Sequence, residues 1–371
     1  MAGLLVHEWI AERGGSENVL EAMARAFPDA DIHCLWNDAP ERFQGRNVTE
    51  SWMARTPLRR SKAAAVPFMP ATWSRTDVSD RDFVLVSSHL FAHHVGGRMQ
   101  PGGPRKFVYV HTPARYIWAP ELDERGNNAL VRASAPVLKR LDARRAADGA
   151  VFAANSAFVR DRIRAAWGQD ATVIHPPVRV ELLQSVADWR ERLNGADQAV
   201  LERLPAEFIL GASRFVPYKR LDLVITAGES VDLPVVLAGA GPQRAELAAA
   251  AESARVPVHI VDSPSDELLF ALYQRAAVFV FPAVEDFGIM PVEAMALGTP
   301  VVVGRQGGAA ESVEAVMGGV VTESWSPVGL RHCVSSASGR NMTQAAELAK
   351  VRFGDGAFAS RLKGWTHGGM R

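Results

Sequence analysis

The chain has 371 residues, in which 41 lysines and arginines balance 41 aspartates and glutamates, so its formal net charge is zero. This length predicts two domains, because a single hydrophobic core rarely grows beyond about 250–300 residues. A zero net charge excludes a general attraction to nucleic acid or to anionic membranes. Two distant cysteines, Cys34 and Cys333, argue against a disulfide framework and against a structural zinc site.

The N-terminal segment, Met1 to Glu8, has no basic region ahead of its short apolar run and meets charge by residue 8. It therefore predicts a strand and not a signal peptide. No stretch of the sequence approaches the roughly 18 apolar residues that a membrane-spanning helix needs. We expect a protein of the reducing cytoplasm.

Short apolar segments recur along the whole chain and alternate with helical segments rich in alanine, leucine and arginine. Such segments are typical of parallel strands that are buried on both faces of a sheet. Two series of them predict an α/β protein with two doubly wound domains. The predicted strands are 4–6, 30–35, 83–87, 106–111 and 151–154 in the first series and 208–212, 234–238, 258–261, 278–281 and 300–303 in the second.

Consecutive prolines, Pro176 and Pro177, place the domain boundary, because they end a strand and stiffen the chain. The N-terminal domain is expected to span 1–176 and the C-terminal domain 177–352. The second domain is entered through a polar helical segment over 181–204. Because ligands of open parallel sheets bind beyond the carboxyl ends of the strands, we expect the functional residues in the loops that follow the strands.

The most informative loop follows the predicted strand 278–281 and contains Glu285 and Glu293, with seven residues between them. Pro291 suits the first position of a helix, where its missing N–H costs nothing. Gly298 suits the left-handed residue that ends a helix. The pattern therefore predicts a short helix that begins directly at the loop.

The start of this helix predicts a site for a polyol phosphate. Loop amides and the positive helix end can face a diphosphate, while Glu293 can accept hydrogen bonds from sugar or ribose hydroxyls. Glu285 would reach the same cavity from the loop. In the alternative interpretation, Glu285 only caps the helix and Glu293 is a solvated helix residue.

A second loop, after the predicted strand 208–212, places Arg214 and Lys219 on the two sides of a proline turn. A leaving nucleoside diphosphate gains negative charge as its bond breaks, and fixed cations stabilise that state more than the ground state. Such cations also make a divalent metal unnecessary. Arg220 is an alternative second cation, and two solvated surface cations are the simpler interpretation.

Two glycine loops follow other strands. Gly14 and Gly15 let backbone amides approach a phosphate ahead of a helix, although a plain tight turn explains them equally well. Gly239 and Gly241 begin what resembles a dinucleotide fingerprint, but Arg244 replaces the third glycine, so the pattern does not support a nicotinamide site.

His111 lies at the carboxyl end of the predicted strand 106–111, where an imidazole can hydrogen-bond and orient a sugar. A purely structural histidine is the alternative. His89, His93 and His94 follow the strand 83–87, but their spacing does not support a metal site. His89 is instead expected to line the part of the site that binds the acceptor of a transferred group.

Taken in order, the Gly14 loop, His111, the Arg214–Lys219 pair, the Gly239 turn and the paired glutamates resemble the retaining glycosyltransferases of family 4. The resemblance extends over nearly the whole chain. It implies the GT-B fold, in which two Rossmann-like doubly wound domains face each other across a cleft. It also implies that the N-terminal domain binds the acceptor, that the C-terminal domain binds the nucleotide-sugar donor, and that residues 353–371 return as a helix to the N-terminal domain.

The resemblance further implies a front-face transfer in which the departing diphosphate helps to deprotonate the incoming hydroxyl. Arg214 and Lys219 would hold the diphosphate, Glu285 would position the sugar, and His111 would orient it. No metal and no cofactor would be needed. The residues expected to bind the donor are Gly14, Gly15, Gly239, Gly241, Phe287, Gly288, Ile289 and Glu293.

The implied reaction is hexosyl transfer, of mannosyl or glucosyl type, from a GDP- or UDP-sugar to a hydroxyl of a glycan, a lipid-linked or a small-molecule acceptor. A nucleotide-sugar epimerase and a non-catalytic nucleotide-sugar binder are the alternatives. A carboxylate-pair hydrolase is disfavoured, because its two groups must flank the scissile bond.

No nucleic-acid partner is expected. The basic, aromatic segment with Arg59, Arg60, Lys62, Phe68 and Trp73 allows a peripheral contact at the inner membrane surface.

Overall fold

The computed structural model describes residues 2–100, 102–119 and 129–370. The chain forms two compact units. The first unit comprises Met1–Pro177 and Gly356–Arg371, and the second unit comprises Val178–Asp355. In the part of the chain that the structure describes, no helix is long and apolar enough to cross a bilayer.

The first unit is built on a seven-stranded, entirely parallel sheet with the strand order β3-β2-β1-β4-β5-β6-β7. Its strands are β1 (Gly3–His7), β2 (Asp31–Cys34), β3 (Val48–Glu50), β4 (Phe83–Ser88), β5 (Arg105–Val110), β6 (Val151–Ala154) and β7 (Thr172–Val173). Its α-helices are α1 (Gly15–Ala26), α2 (Lys62–Ala65), α3 (Met69–Arg75), α4 (Arg115–Trp118), α5 (Ala129–Ala146) and α6 (Ala157–Trp167). Its 3-10 helices are Pro40–Phe43, Trp52–Arg55, Pro57–Arg60, Val66–Phe68 and Ala92–His94.

The second unit is built on a six-stranded parallel sheet with the strand order β10-β9-β8-β11-β12-β13. Its strands are β8 (Ile209–Ala212), β9 (Val235–Gly239), β10 (Val258–Asp262), β11 (Val278–Phe281), β12 (Val301–Gly304) and β13 (Gly319–Thr322). Its α-helices are α7 (Val180–Leu183), α8 (Gly195–Glu202), α9 (Asp222–Val231), α10 (Arg244–Ser253), α11 (Asp266–Arg275), α12 (Ile289–Ala296), α13 (Gly308–Val316), α14 (Pro327–Ala337) and α15 (Thr343–Phe353). Its 3-10 helices are Trp189–Arg192 and Pro217–Lys219.

Both sheets are buried on their two faces, which explains why their strands have short, continuous apolar sequences. In β1, Leu4 and Val6 pack into one hydrophobic cluster and Leu5 packs into another. The helix α16 (Asp355–Met370) adds Phe358 and Leu362 to the second of these clusters. The predicted α/β class is therefore confirmed.

Three strands, β3, β7 and β13, escape prediction from the sequence. They contain two to four residues, stand at the edges of their sheets, and are mostly half-buried or exposed, so their apolar signal is weak. The polar helical segment predicted over 181–204 is divided into α7, a 3-10 turn and α8. Asn194 begins α8 by accepting hydrogen bonds from the amides of Ala196 and Asp197, both at 3.0 Å.

Asp142 of α5 is buried at the centre of a polar network in the first unit. Its Oδ2 accepts hydrogen bonds from the indole N–H groups of Trp118 and Trp167, both at 2.7 Å. The Nε2 atoms of His93 and His94 lie 3.1 and 3.2 Å from its Oδ1. Burial alone would raise the pKa of Asp142, but the two histidines hold it well below its ordinary value. One carboxylate thus ties α5 to α4, α6 and the turn after β4.

We predict that Asp142→Ala lowers the free energy of unfolding by about 3–5 kcal/mol, because two indoles and two imidazoles lose their buried partner. Asp161→Ala is the matched control, since Asp161 is 62% exposed and pairs with Arg164 at 3.2 Å on the surface. Its cost should stay below about 1 kcal/mol. Urea denaturation of both variants measures the difference, and equal losses would contradict the role assigned to Asp142.

Candidate active site

Lys219 and Glu285 form an ion pair at the carboxyl edge of the second sheet. Lys219 ends the 3-10 turn after β8, and Glu285 lies in the loop after β11, which is the neighbouring strand. The lysine Nζ contacts Glu285 Oε1, and the two side chains are only 8% and 20% exposed. The Nζ also lies 5.2 Å and 5.6 Å from the ring centres of Tyr218 and Phe281. The cation is therefore fixed in position and largely shielded from water.

The other two cations of this loop are exposed and differently engaged. Arg214 donates a hydrogen bond to the Tyr218 hydroxyl at 2.9 Å. Arg220 forms a forked pair with Asp222, with bonds of 3.0 and 2.9 Å. Lys219 and Arg220 are each paired with a carboxylate, but the Arg220 pair lies at the surface whereas Lys219 is nearly buried.

Two helices begin beside this ion pair. The start of α12 follows Gly288 and the start of α13 follows Gly307, so both capping residues lack a side chain that would occupy the first amides. The amide of Gly308 donates a hydrogen bond to the carbonyl of Glu285 at 2.8 Å, which joins the two loops. Positive helix ends and a fixed lysine at one sheet edge form a site that suits an anion.

The glycines at this edge are required by close packing of the loops. Gly307 has a φ of 107°, and a Cβ there would lie 2.8 Å from the carbonyl oxygen of Glu285. Gly288 has a φ of 90°, and a Cβ there would lie 2.8 Å from Cβ of Ala309. Any other residue would push the two helix starts apart.

Phe287 and Ile289 differ in their surroundings. The Phe287 side chain is buried in the core, with its ring centre 5.5 Å from that of Phe353. Ile289 is half-buried and packs against the same core. The side chain of Phe287 thus anchors the loop, and its contribution to ligand binding would come through the backbone.

Glu293 lies in the second turn of α12 and is half-buried. Burial raises the pKa of Glu293 to about 7; Arg179 opposes this rise and Asp266 adds to it. Burial and the neighbouring Glu293 raise the pKa of Tyr273 well above its ordinary value. The Tyr273 hydroxyl has no hydrogen-bond partner among the described residues. The Glu293 carboxyl is therefore poorly solvated, and hydroxyl donors would stabilise its charged form.

Gly239 and Gly241 serve the packing of the loop after β9 against the loop after β8. A Cβ on Gly239 would lie 1.8 Å from the carbonyl oxygen of Ser213, and one on Gly241 would lie 2.5 Å from that of Phe215. Arg244, at the third position of the incomplete fingerprint, pairs with Asp262 at 2.6 Å. This turn therefore supports the backbone that precedes Lys219.

His111 lies at the carboxyl edge of the first sheet, directly after β5. Its Nε2 lies 2.8 Å from Ser87 Oγ, and Ser87 Oγ lies 3.0 Å from His7 Nδ1. Asn155 donates a hydrogen bond to the His111 carbonyl at 3.0 Å. Burial, together with His89 and His7, holds the pKa of His111 well below its ordinary value. The imidazole is therefore neutral and oriented by hydrogen bonds.

The loop of Gly14 and Gly15 precedes α1, and its helix start is occupied by the chain itself. Glu17 Oε2 accepts a hydrogen bond from Ser16 Oγ at 2.8 Å, and Oε1 accepts one from the Ala11 amide at 3.3 Å. A Cβ on Gly14 would lie 2.0 Å from Glu17 Oε2. Gly14 thus makes room for a carboxylate, and a phosphate at this position would have to displace Glu17.

The three histidines after β4 are divided between two clusters. His93 and His94 belong to the Asp142 network. His89 Nδ1 lies 3.2 Å from Glu8 Oε2, beside His7. Glu8 directly follows β1. A charged residue at the end of a buried strand is the sequence signal that could have identified it as a candidate site residue.

The basic, aromatic segment of the first unit is only partly at the surface. Trp73 is buried, whereas Phe68 is exposed and packs edge-on against Trp52, with 6.3 Å between ring centres. These two aromatic rings line a cavity of about 420 Å³. Arg59 is paired with Asp38 at 2.7 Å.

Two family models match the chain. Residues 13–182 match Glycosyltransferase Family 4, and residues 196–330 match Glycosyl transferases group 1. The GDP-mannose-dependent α-(1-6)-phosphatidylinositol monomannoside mannosyltransferase of Mycolicibacterium smegmatis is 31% identical over 326 residues, which cover 84% of this chain and 82% of that relative. D-rhamnosyltransferase WbpZ of Pseudomonas aeruginosa is 35% identical over 124 residues, which cover 32% of this chain and 29% of the relative.

Solved structures share the fold at low identity. HepE of Anabaena in complex with UDP has a TM-score of 0.72 and 19% identity, and the match covers 99% of this chain and 100% of that chain. WaaG, a glycosyltransferase of lipopolysaccharide biosynthesis, has a TM-score of 0.62 and 14% identity, with 98% of both chains covered. These matches confirm the predicted GT-B class.

We predict that Glu293→Gln removes a pH-dependent loss of stability. The folded wild-type chain retains a proton on Glu293 up to about pH 7, while the unfolded chain releases it near the ordinary value of 4.5. Stability should therefore fall as the pH rises between these values, by about 1–3 kcal/mol in total. Above pH 7 the variant should melt at a higher temperature than the wild type.

Thermal melting without ligand, from roughly pH 5 to pH 8.5, measures this effect. Glu202→Gln, which changes an exposed glutamate of α8, is the control and should follow the wild-type curve. Parallel pH curves for Glu293→Gln and the wild type would show that Glu293 carries no such penalty.

Proposed function

The chain belongs to the family 4 glycosyltransferases and uses a nucleotide sugar, and we propose that it transfers a hexosyl group with retention of anomeric configuration. The donor would be a GDP- or UDP-sugar and the acceptor a hydroxyl of a glycan, a lipid-linked or a small molecule. The fixed Lys219 beside the starts of α12 and α13 carries this proposal, because it offers a site for the departing diphosphate.

In the proposed mechanism, the bond between the anomeric carbon and the diphosphate oxygen breaks, and the diphosphate leaves with the bonding electrons. Lys219, Arg214 and the amides of the two helix starts stabilise the charge that accumulates on it. An oxygen of the diphosphate accepts the proton of the acceptor hydroxyl, which attacks from the same face. No nucleophile of the chain and no metal ion are required in this scheme.

The remaining residues would position the donor. Glu285 would accept hydrogen bonds from the transferred sugar once the diphosphate competes for Lys219. Glu293 would accept hydrogen bonds from the ribose, and these would stabilise its ionised form. His111, which is neutral and held through Ser87, would orient the sugar by hydrogen bonding.

GDP-mannose is the first donor to test, because the relative from Mycolicibacterium smegmatis is named as GDP-mannose-dependent. The same name supports a lipid-linked acceptor, since that relative acts on a phosphatidylinositol monomannoside. A UDP-hexose is the second candidate donor. For a lipid acceptor, the exposed Trp52 and Phe68 would provide a peripheral membrane contact, as aromatic side chains favour the membrane interface.

We predict that one nucleoside diphosphate of a panel of UDP, GDP, dTDP and ADP raises the melting temperature in the presence of EDTA. A ligand at a hundred times its dissociation constant stabilises a protein by about 2.7 kcal/mol, which such a scan detects. Added magnesium should leave the affinity unchanged. Strict dependence on magnesium would contradict the proposed Arg214 and Lys219 scheme.

The same melting experiment compares how Lys219 and Arg220 contribute to binding of the diphosphate. Lys219→Ala should weaken binding of the diphosphate at least tenfold, or about 1.4 kcal/mol. Arg220→Ala should change it by less than about twofold, because Arg220 forms a solvent-exposed surface pair with Asp222 and is not held at the sheet edge as Lys219 is. Melting of both variants without ligand shows whether each is folded. Wild-type affinity in a folded Lys219→Ala variant would remove the lysine from the site.

We predict an α-linked product when GDP-α-mannose is supplied with a lipid-linked mannoside acceptor, as measured by the anomeric signals in the proton NMR spectrum. His111→Ala should lower turnover while it preserves affinity for GDP. An isomerised nucleotide sugar formed without acceptor would identify an epimerase. Binding of GDP-mannose without any turnover, across several acceptors, would support the non-catalytic alternative, and a β-linked product would exclude retention.

A further inference from the structure

A second cluster of polar side chains lies at the carboxyl edge of the first sheet. The register pairs His7 at the end of β1 with Ser87 near the end of β4. The parallel arrangement thus brings His7 and Glu8 next to His89, although these residues are about 80 positions apart in the chain. One ligand atom from each of the three residues lies within 4.8 Å of the others.

Three atoms of these groups make no hydrogen bond in the part of the chain that the structure describes, and two of them, His89 Nδ1 and Glu8 Oε2, face each other at 3.2 Å. These atoms are His7 Nε2, Glu8 Oε2 and His89 Nδ1. His7 and Glu8 are fully buried, and His89 is 22% exposed at its side chain. Buried polar atoms of this kind are costly unless a partner completes them.

The other atoms of His7 and Glu8 are held by the surrounding chain. His7 Nδ1 lies 3.2 Å from the Ser87 carbonyl and 3.0 Å from Ser87 Oγ, and donation of the Nδ1 proton to the carbonyl would leave the lone pair on Nε2. Glu8 Oε1 accepts hydrogen bonds from the amides of His89, Leu90 and Ala92 at 3.1, 2.8 and 3.1 Å. A histidine whose other nitrogen is bound to a carbonyl is the usual arrangement of a metal ligand.

From this geometry we propose that His7 Nε2, Glu8 Oε2 and His89 Nδ1 bind one divalent transition-metal ion, with zinc as the best match. Two imidazoles and a carboxylate suit zinc and its neighbours better than magnesium or calcium. The 3.2 Å between His89 Nδ1 and Glu8 Oε2 is close to the roughly 3.3 Å that separates two ligands of a tetrahedral zinc ion. Three protein ligands leave a fourth position on the partly exposed side of His89.

The second three-residue cluster, His93, His94 and Asp142, does not suit an ion. Both of its Nε2 atoms approach Asp142 Oδ1, and the indole N–H groups of Trp118 and Trp167 take up Oδ2. The carboxylate there is fully occupied by donors. Glu8 differs because its hydrogen bonds all fall on Oε1, whereas Oε2 accepts none from an indole or amide and faces His89 Nδ1 at 3.2 Å.

An ion at this place would join the ends of β1 and β4. Through His7 Nδ1 and Ser87 Oγ it would also stiffen the hydrogen-bond chain that ends at His111. This role is distinct from the proposed leaving-group chemistry, which rests on Lys219 and Arg214 in the second unit. The metal therefore acts as a positioning element and takes no part in bond breaking.

The test is a cobalt(II) titration of the full chain after removal of metals with a chelator, followed by visible absorption. We expect one cobalt ion per chain, a spectrum typical of four- or five-coordinate nitrogen and oxygen ligands, and displacement by zinc. His89→Gln should weaken cobalt binding at least tenfold. Glu8→Gln should do the same, provided that its melting curve shows a folded protein.

His33→Gln is the matched control, because His33 lies in β2 of the same sheet and its Nδ1 is 2.9 Å from Thr49 Oγ1, outside the cluster. It should bind cobalt as the wild type does. Absence of cobalt binding by the wild type, or binding that His89→Gln leaves unchanged, would overturn the proposal. The affinity for GDP, measured in the same samples, reports on the second unit, so failure of the metal site and failure of the proposed function are distinguishable.

Discussion

The ion pair of Lys219 and Glu285 is the interaction on which the site of the second unit depends. An ammonium group withdrawn from water needs a counter-charge, and a buried carboxylate needs a cation, so removal of either partner leaves an uncompensated charge. The pair also joins loops that follow two adjacent strands, β8 and β11. Under the proposed function, a diphosphate would replace Glu285 as the partner of Lys219. The resting pair would then hold both groups in place before the donor arrives.

Closely packed backbone surrounds that pair. Gly239, Gly241, Gly288 and Gly307 all stand where a Cβ would meet another loop at under 3 Å. These loops therefore define the site through main-chain amides and carbonyls. A surface built in this way recognises phosphates and hydroxyls well and carries little information about a particular base or sugar. This explains why the sequence supports the reaction class more firmly than the donor.

The parts of the molecule that were predictable rest on local signals. Apolar runs locate most of the central strands, and Pro291 with Gly298 locates α12, because each signal depends on a few adjacent residues. Glu17 and the Glu8–His7–His89 cluster were missed, as was Asp142. The last two depend on contacts between residues 48 to 84 positions apart, such as Asp142 with His94 and Glu8 with Ala92. Sequence spacing alone also could not divide the histidines after β4 between two clusters, since their partners come from other strands and helices.

The raised pKa of the half-buried Glu293 would couple its protonation to ligand binding. A carboxyl group that is partly protonated near pH 7 loses its proton when hydroxyl donors stabilise its charged form. Under the proposed function, binding of the ribose to Glu293 would release a proton, and donor affinity would rise with increasing pH. A lower pH would weaken binding of the nucleotide and would raise the stability of the protein without ligand. The same side chain would then set a balance between retention of the ligand and stability of the protein.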